Sequence, residues 1–364
     1  MPYRILSLDG GGAWSLIQLR TLISLYGANT LGHTVLKAFD LIAANAGGSL
    51  VLAGLAENRT LGDLLALFMD DRQRAAFFPP TRQAVDAVLP LLPNTGSQTL
   101  QQIASDITGP SGRPMHLLVI GFDYQRNRVQ FFRSRPAGGP EWGAGAPADI
   151  TLAAVVRASM HAPIGCFEAP PEIPLNPDRF WDGEIIGCNN PLLAAVVEAI
   201  TLDVPPGDIR ALSLGTGMVC LPPAAPFTAT RDGPPDTTTF IAHAVTGGAD
   251  GLDGPAVSRV VRFNPLISPV AARGRWTMPR GWTMAQFQRL CGLGIDALAP
   301  GDVAAIDDWC QLWLGDHVPN QPIRMDGETL MPELGYGLYS EARRAWRSLF
   351  PRMSGRALAA LVEA

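Results

Sequence analysis

The stretch Arg4-Ile5-Leu6-Ser7-Leu8-Asp9-Gly10-Gly11-Gly12-Ala13-Trp14 decides the fold. A short apolar run stops at an aspartate and three glycines, and Leu16–Tyr26 then carries helical spacing. A strand that turns through glycines into a helix is the building unit of a parallel α/β sheet. Consecutive glycines let main-chain N–H groups point into one cavity without obstruction. The helix that follows adds its positive end, so an oxygen bearing negative charge would be stabilised there. The stretch lacks the Lys-Ser/Thr ending of a P-loop and has Ser15 in place of the last glycine of G-x-G-x-x-G, which argues against a nucleotide.

The same unit recurs along the chain. Phe39–Ala44 is a strand candidate, and after a tight turn Ser49–Glu57 reads as a helix. Met115–Phe122 and Arg128–Arg133 look like strands around the polar turn Gln125–Asn127. Pro191–Thr201 reads as a helix with proline at its first position, and Ala211–Leu214 as a buried strand ending at Gly215-Thr216-Gly217. The expected fold is α/β, with a mainly parallel central sheet flanked by helices. Residues 1–220 form the expected core. Residues 221–364 are expected to be a loop-rich, mostly helical extension packed on that core as part of the same structural domain. Pro79–Ser111 and Leu221–Gly254, rich in proline and polar or small residues, read as excursions over the core. Trp276–Trp313 reads as part of the helical layer.

Composition narrows the function. The 364 residues are 47% hydrophobic and 17% charged, which suits a soluble globular protein, expected to be cytoplasmic or exported without a classical signal peptide. A net charge of −5 disfavours nucleic acid and leaves at most peripheral contact with membranes. Lys37 is the only lysine among 28 cationic residues. Five dispersed cysteines form no CxxC pair or Cys/His cluster, and no acidic run has calcium-loop spacing, so no metal or other cofactor is expected. Oligomeric state is not legible.

Two further loops accompany the glycine loop. In Ala44-Asn45-Ala46-Gly47-Gly48, small residues flank a central position, as a nucleophile elbow requires, yet that position is alanine. Ser49 lies three residues on and reads as a helix-start residue whose hydroxyl serves the backbone. In Trp181-Asp182-Gly183-Glu184, an aspartate behind an apolar pair can be held in a cleft with one oxygen free. Asn189 and Asn190, just beyond, fit turn bonding and helix capping.

Together these segments resemble the patatin-like phospholipase family, whose members carry a DGGGxR loop, a GxSxG elbow and a DG(G/A) loop in that order. The matching stretches are Leu8–Trp14, Asp40–Leu50 and Trp181–Pro191. Arg157–Pro163 and Ser213–Gly217 are also similar to the family's core. The resemblance covers Arg4 to Gly217. It implies a three-layer α/β/α fold and a serine–aspartate dyad that hydrolyses carboxylic esters or acyl lipids through an acyl-enzyme. Carried over by position, Asp182 is the base, Gly10, Gly11 and Gly12 form the oxyanion hole, and position 46 is the nucleophile's.

The chain departs from the family at several points. Ala46 has no nucleophile, which makes this copy either an engineered inactive variant or a natural, non-catalytic binder of lipid or another acyl ligand. The retained Asp182 favours the former. Transacylation is a further alternative for the active form. Trp14 stands where the family has arginine, and either faces an acyl pocket or fills core. Ala44 replaces a glycine of the elbow, and Glu184 a small residue. Asn45, Gly47 and His161 are candidate pocket residues; His161 invites a triad, but with Asp182 able to act directly it is expected to line the pocket or bond its own loop. The interleaved Arg273–Trp282 segment reads as a surface loop with inward tryptophans, or as a lipid-facing lip.

Overall fold

A computed structural model describes residues 2–77, 92–134, 150–162, 172–173, 176–220, 237–246, 259–272, 275–297, 299, 301–326 and 331–350. Pro163, Arg273, Gly274 and most of the Leu221–Gly254 excursion lie outside the described residues, as does the 79–91 part of the earlier one.

Nine strands carry the account: β1 Tyr3–Leu8, β2 Leu41–Asn45, β3 His116–Asp123, β4 Arg128–Arg133, β5 Glu172–Ile173, β6 Asn176–Asp182, β7 Ile209–Leu214, β8 Met218–Val219 and β9 Val260–Phe263. The central sheet runs β5-β6-β3-β2-β1-β7-β9, with β4 also paired to β3. From β3 through β2, β1 and β7 to β9 the pairing is parallel; β4, β5 and β6 are antiparallel additions at one end. All six residues of β1 and all five of β2 are buried, as expected where helices cover both faces of a parallel sheet.

Alternate strand residues feed two cores. Leu6, Leu8, Ile42, Val119, Leu212 and Leu214 face one side, packed by the helices Leu16–Tyr26, Gly47–Ala56, Leu61–Met69 and Leu152–Met160. Tyr3, Ile5, Leu41, Leu118, Ile209 and Ala211 face the other, under the Leu192–Thr201 helix. The result is a helix–sheet–helix arrangement. The expected helix at Ser49–Glu57 begins two residues earlier, at Gly47, because the chain turns directly out of β2.

The carboxyl-terminal part combines the helices Met284–Cys291, Asp302–Leu314 and Tyr339–Leu349 with short strands. It supplies β9, the edge strand beside β7, and Trp309, Trp313 and Trp346 to the larger core. Trp282 packs edge-on against Trp309 at 4.8 Å, so this tryptophan of the Arg273–Trp282 segment points inward. Arg262 of β9 reaches across the sheet edge to Asp9 Oδ2 (2.5 Å) and donates to Ser213 Oγ (2.7 Å). This joins the extension to the start of the glycine loop.

One detail of register positions the site. On the side of β3 away from β4, β2 ends with Asn45 opposite Ile120, and β6 takes over antiparallel with Asp182 opposite Gly121. Two segments distant in sequence therefore meet end to end along one strand.

Candidate active site

The chain leaves β2 at Ala46, which has φ 43° and ψ −121° and is 4% exposed. An L residue rarely adopts this conformation, and holding one there costs about 1–3 kcal/mol. The neighbours impose it. Ala46 N–H donates to Ser159 Oγ at 2.9 Å, and Ser159 in turn donates to the Ile120 carbonyl at 2.6 Å. The Ala46 carbonyl accepts from Ser49 Oγ at 2.6 Å and from Ser49 N at 2.9 Å, so the Ser49 hydroxyl serves the backbone as expected.

Close approach explains the glycines around this bend. A β-carbon at Gly47 would lie 2.7 Å from Gly12 N, which brings the triglycine against the first turn of the helix. Gly11 has φ 151° and any side chain there would strike the Thr216 hydroxyl; Gly12 has φ 56° and would strike the Ile295 carbonyl. Gln18 clamps the feet of the loop, donating from Nε2 to the carbonyls of Asp9 (2.8 Å) and Leu214 (3.1 Å).

The three glycine amides are not equivalent. Gly10 N–H donates to the Asn189 carbonyl at 2.9 Å, and Thr216 Oγ1 donates to the Gly10 carbonyl at 2.6 Å. This removes Gly10 from the expected oxyanion cradle, because its one donor is already spent. Neither Gly11 N–H nor Gly12 N–H has an acceptor among the described residues.

Asp182 is 2% exposed. Its Oδ1 accepts from Asn45 Nδ2 and from Glu184 N, both at 2.9 Å, while no described residue bonds Oδ2. Its main-chain N–H donates to the His161 carbonyl at 2.7 Å. Burial pushes the carboxyl up to about 7, reinforced by the Glu184 charge and opposed by the two hydrogen bonds to Oδ1. A β-carbon at Gly10 would lie 2.9 Å from Asn45 Nδ2 and 3.1 Å from the Ala46 methyl, so carboxyl, amide, methyl and glycine loop converge on one small volume.

The remaining candidates separate. The His161 ring is buried and donates from Nδ1 to the Arg157 carbonyl at 2.8 Å; burial lowers it to about 4, so it is neutral near pH 7. Trp14 is fully buried in the larger core, with Nε1 donating to the Gly294 carbonyl at 3.1 Å. Asn190 bonds its turn as expected, accepting at Oδ1 from Leu192 N at 2.9 Å. Ser159, which pins the bend, carried no expected role; its signal was only its place in the Arg157–Pro163 segment. Asn189 also enters the site, with its side-chain oxygen beside Gly10.

Among the described residues no group of His, Cys, Asp and Glu is arranged to hold a metal ion, and no helix is long and apolar enough to cross a membrane.

No family model matches the chain. Over 196 residues it is 29% identical to the intracellular phospholipase A2 of Caenorhabditis elegans, a match covering 53% of this chain and 16% of that protein. The chain thus corresponds to a small part of that relative's length. VipD from Legionella pneumophila superposes over 85% of this chain and 67% of its own, with 11% identity and a TM-score of 0.34.

Proposed function

We propose that this chain carries the active site of a patatin-like lipid acyl hydrolase of the serine–aspartate type, with alanine at the nucleophile position, so that this copy holds an acyl ester without cleaving it. The observation that carries the reading is the strained bend at Ala46, φ 43° and ψ −121°, facing a buried carboxyl with one oxygen uncommitted. A methyl group gains nothing from that conformation; a serine hydroxyl would be thrust clear of the sheet by it. The similarity to a phospholipase A2 supports an acyl lipid as substrate.

With serine at position 46, the hydroxyl oxygen would bond to the ester carbon while its proton passes to Asp182 Oδ2. The carbonyl electron pair would move onto oxygen, facing the amides of Gly11 and Gly12. Collapse would break the bond to the alcohol, which takes the proton from Asp182 and leaves an acyl-enzyme. Water would then bond to the acyl carbon as its proton passes to the same carboxylate; the bond to the serine oxygen breaks, that oxygen takes the proton back from Asp182, and the acid is released. An ordinary carboxylate is a poor base for serine; a carboxyl raised to about 7 by burial is a better one.

The test is Ala46→Ser, assayed with p-nitrophenyl butyrate and with a phospholipid in micelles. The expected result is ester turnover absent from the alanine form. No gain on either substrate would leave the non-catalytic acyl-binding reading in its place.

A further inference from the structure

At the end of β1 away from the glycine loop, Tyr3 forms the floor of a cleft of about 300 Å³. Its walls carry opposite charge. Ser111 and Arg113 come from the turn before β3, and Asp203 and Asp208 from the link between the Leu192–Thr201 helix and β7. Because the sheet runs β3-β2-β1-β7, these two segments stand on either side of Tyr3. The first wall is anchored, with Ser111 N donating to Asp40 Oδ1 at 2.8 Å and Gly109 N to the Arg113 carbonyl at 2.9 Å. Asp203 holds φ 61° where the chain reverses out of the helix. Arg113, Asp203 and Asp208 are exposed, and among the described residues none of the three forms an ion pair; Asp208 feels the Arg210 charge without pairing to it. Opposite charges that face each other unpaired leave a gap for a ligand to bridge.

The floor supplies a second, independent observation. Tyr3 is 6% exposed, and its hydroxyl has no hydrogen-bond partner among the described residues; it is not sealed in the core but opens on the cleft. Burial and then the Asp40 charge raise the phenol above its ordinary value against the pull of Arg113, so the hydroxyl keeps its proton and can only gain by donating it. Phenylalanine would fill the same strand position without that demand.

We propose that this cleft binds a small zwitterion, whose carboxylate or phosphate takes donors from Tyr3 and Arg113 and whose ammonium lies against Asp203 and Asp208. A planar guanidinium matches an oxyanion, and the volume stands at the lower end of those that hold small ligands. The site is separate from the candidate active site, since Tyr3 precedes Leu8 by about 16 Å of strand. It does not depend on the acyl-hydrolase reading.

The experiment is calorimetric titration of the Ala46 chain with O-phosphoethanolamine and with β-alanine, each of which joins an ammonium to an oxyanion through two methylenes. Ethanolamine and inorganic phosphate, each with one sign of charge, are the controls. The expected result is 1:1 binding of at least one zwitterion with Kd below about 1 mM, and binding of both controls weaker by about tenfold or more. Tyr3→Phe, Arg113→Gln and Asp203→Asn, the last keeping the left-handed backbone, should each weaken the zwitterion about tenfold. No binding of either zwitterion up to about 10 mM overturns the proposal. So does phosphate or ethanolamine bound as tightly as the zwitterion, or zwitterion binding that Tyr3→Phe and Arg113→Gln both leave unchanged. Melting of the free protein is a second readout. Tyr3→Phe should leave the melting temperature unchanged or higher, because the hydroxyl has no bond to lose. A fall would mean that the hydroxyl already has a partner within the fold, and would overturn its place in the site.

Discussion

Asn45 Nδ2 donates to Asp182 Oδ1 over 2.9 Å, tying the residue before the bend to a carboxyl 137 positions later in the chain. The bond fixes which oxygen of Asp182 is occupied and therefore which is left for chemistry. It also ranks the forces on that carboxyl. Two donated hydrogen bonds favour the charged form, yet burial outweighs them and the group ends near neutrality.

The pH dependence of the Ala46→Ser protein should report that balance. The base must be ionised, so kcat/KM should rise with pH up to about 7 and flatten above it. A profile still flat down to pH 5 would mean that Asp182 does not supply the base.

Stability should carry the opposite sign. A carboxyl raised on folding from 3.8 to about 7 binds its proton more tightly in the native state. Its favourable contribution is complete below the unfolded value and lost as pH rises through the folded one. Asp182→Asn, which accepts the same two hydrogen bonds without charge, should therefore raise the melting temperature more at pH 8 than at pH 4. Equal shifts at both values would contradict a raised carboxyl.

Ser159→Ala should loosen the bend. It removes the acceptor of Ala46 N–H and the donor to Ile120, leaving buried backbone groups unpaired, at a cost of about 1–3 kcal/mol in urea unfolding. In the Ala46→Ser background it should also lower kcat, because the nucleophile would no longer be held in position.

Arg262→Met should be more damaging. The side chain is 5% exposed and paired with Asp9, and removing one member of a buried pair costs about 3–5 kcal/mol. Urea unfolding checks this value, and a loss under 1 kcal/mol would show that Asp9 is well served by other partners.

Much of this was legible in the sequence, for identifiable reasons. β1 reads as a strand because an uninterrupted apolar run is what a doubly covered parallel sheet demands, and the glycines after it mark close approach. The small residues around position 46 likewise announce a tight turn. β6 was not legible: Asn176, Pro177, Asp178 and Arg179 carry little strand character, and its form comes from pairing, of Asn176 and Arg179 with β5 and of Phe180–Asp182 with β3. Nor does a run of glycines reveal which amide is already taken. The fate of Gly10 depends on a carbonyl 179 residues away, and Arg262 shows its purpose only when β9 lies beside β7.

The handover along β3 works as a ruler. Sliding β6 by one residue would carry its carboxyl about 3.3 Å along the strand and turn it to the opposite face of the sheet. The spacing between residues 46 and 182 is thus written in backbone hydrogen bonds rather than in flexible side chains. Sequence drift in the outer helices can alter what enters the cleft while leaving that spacing untouched.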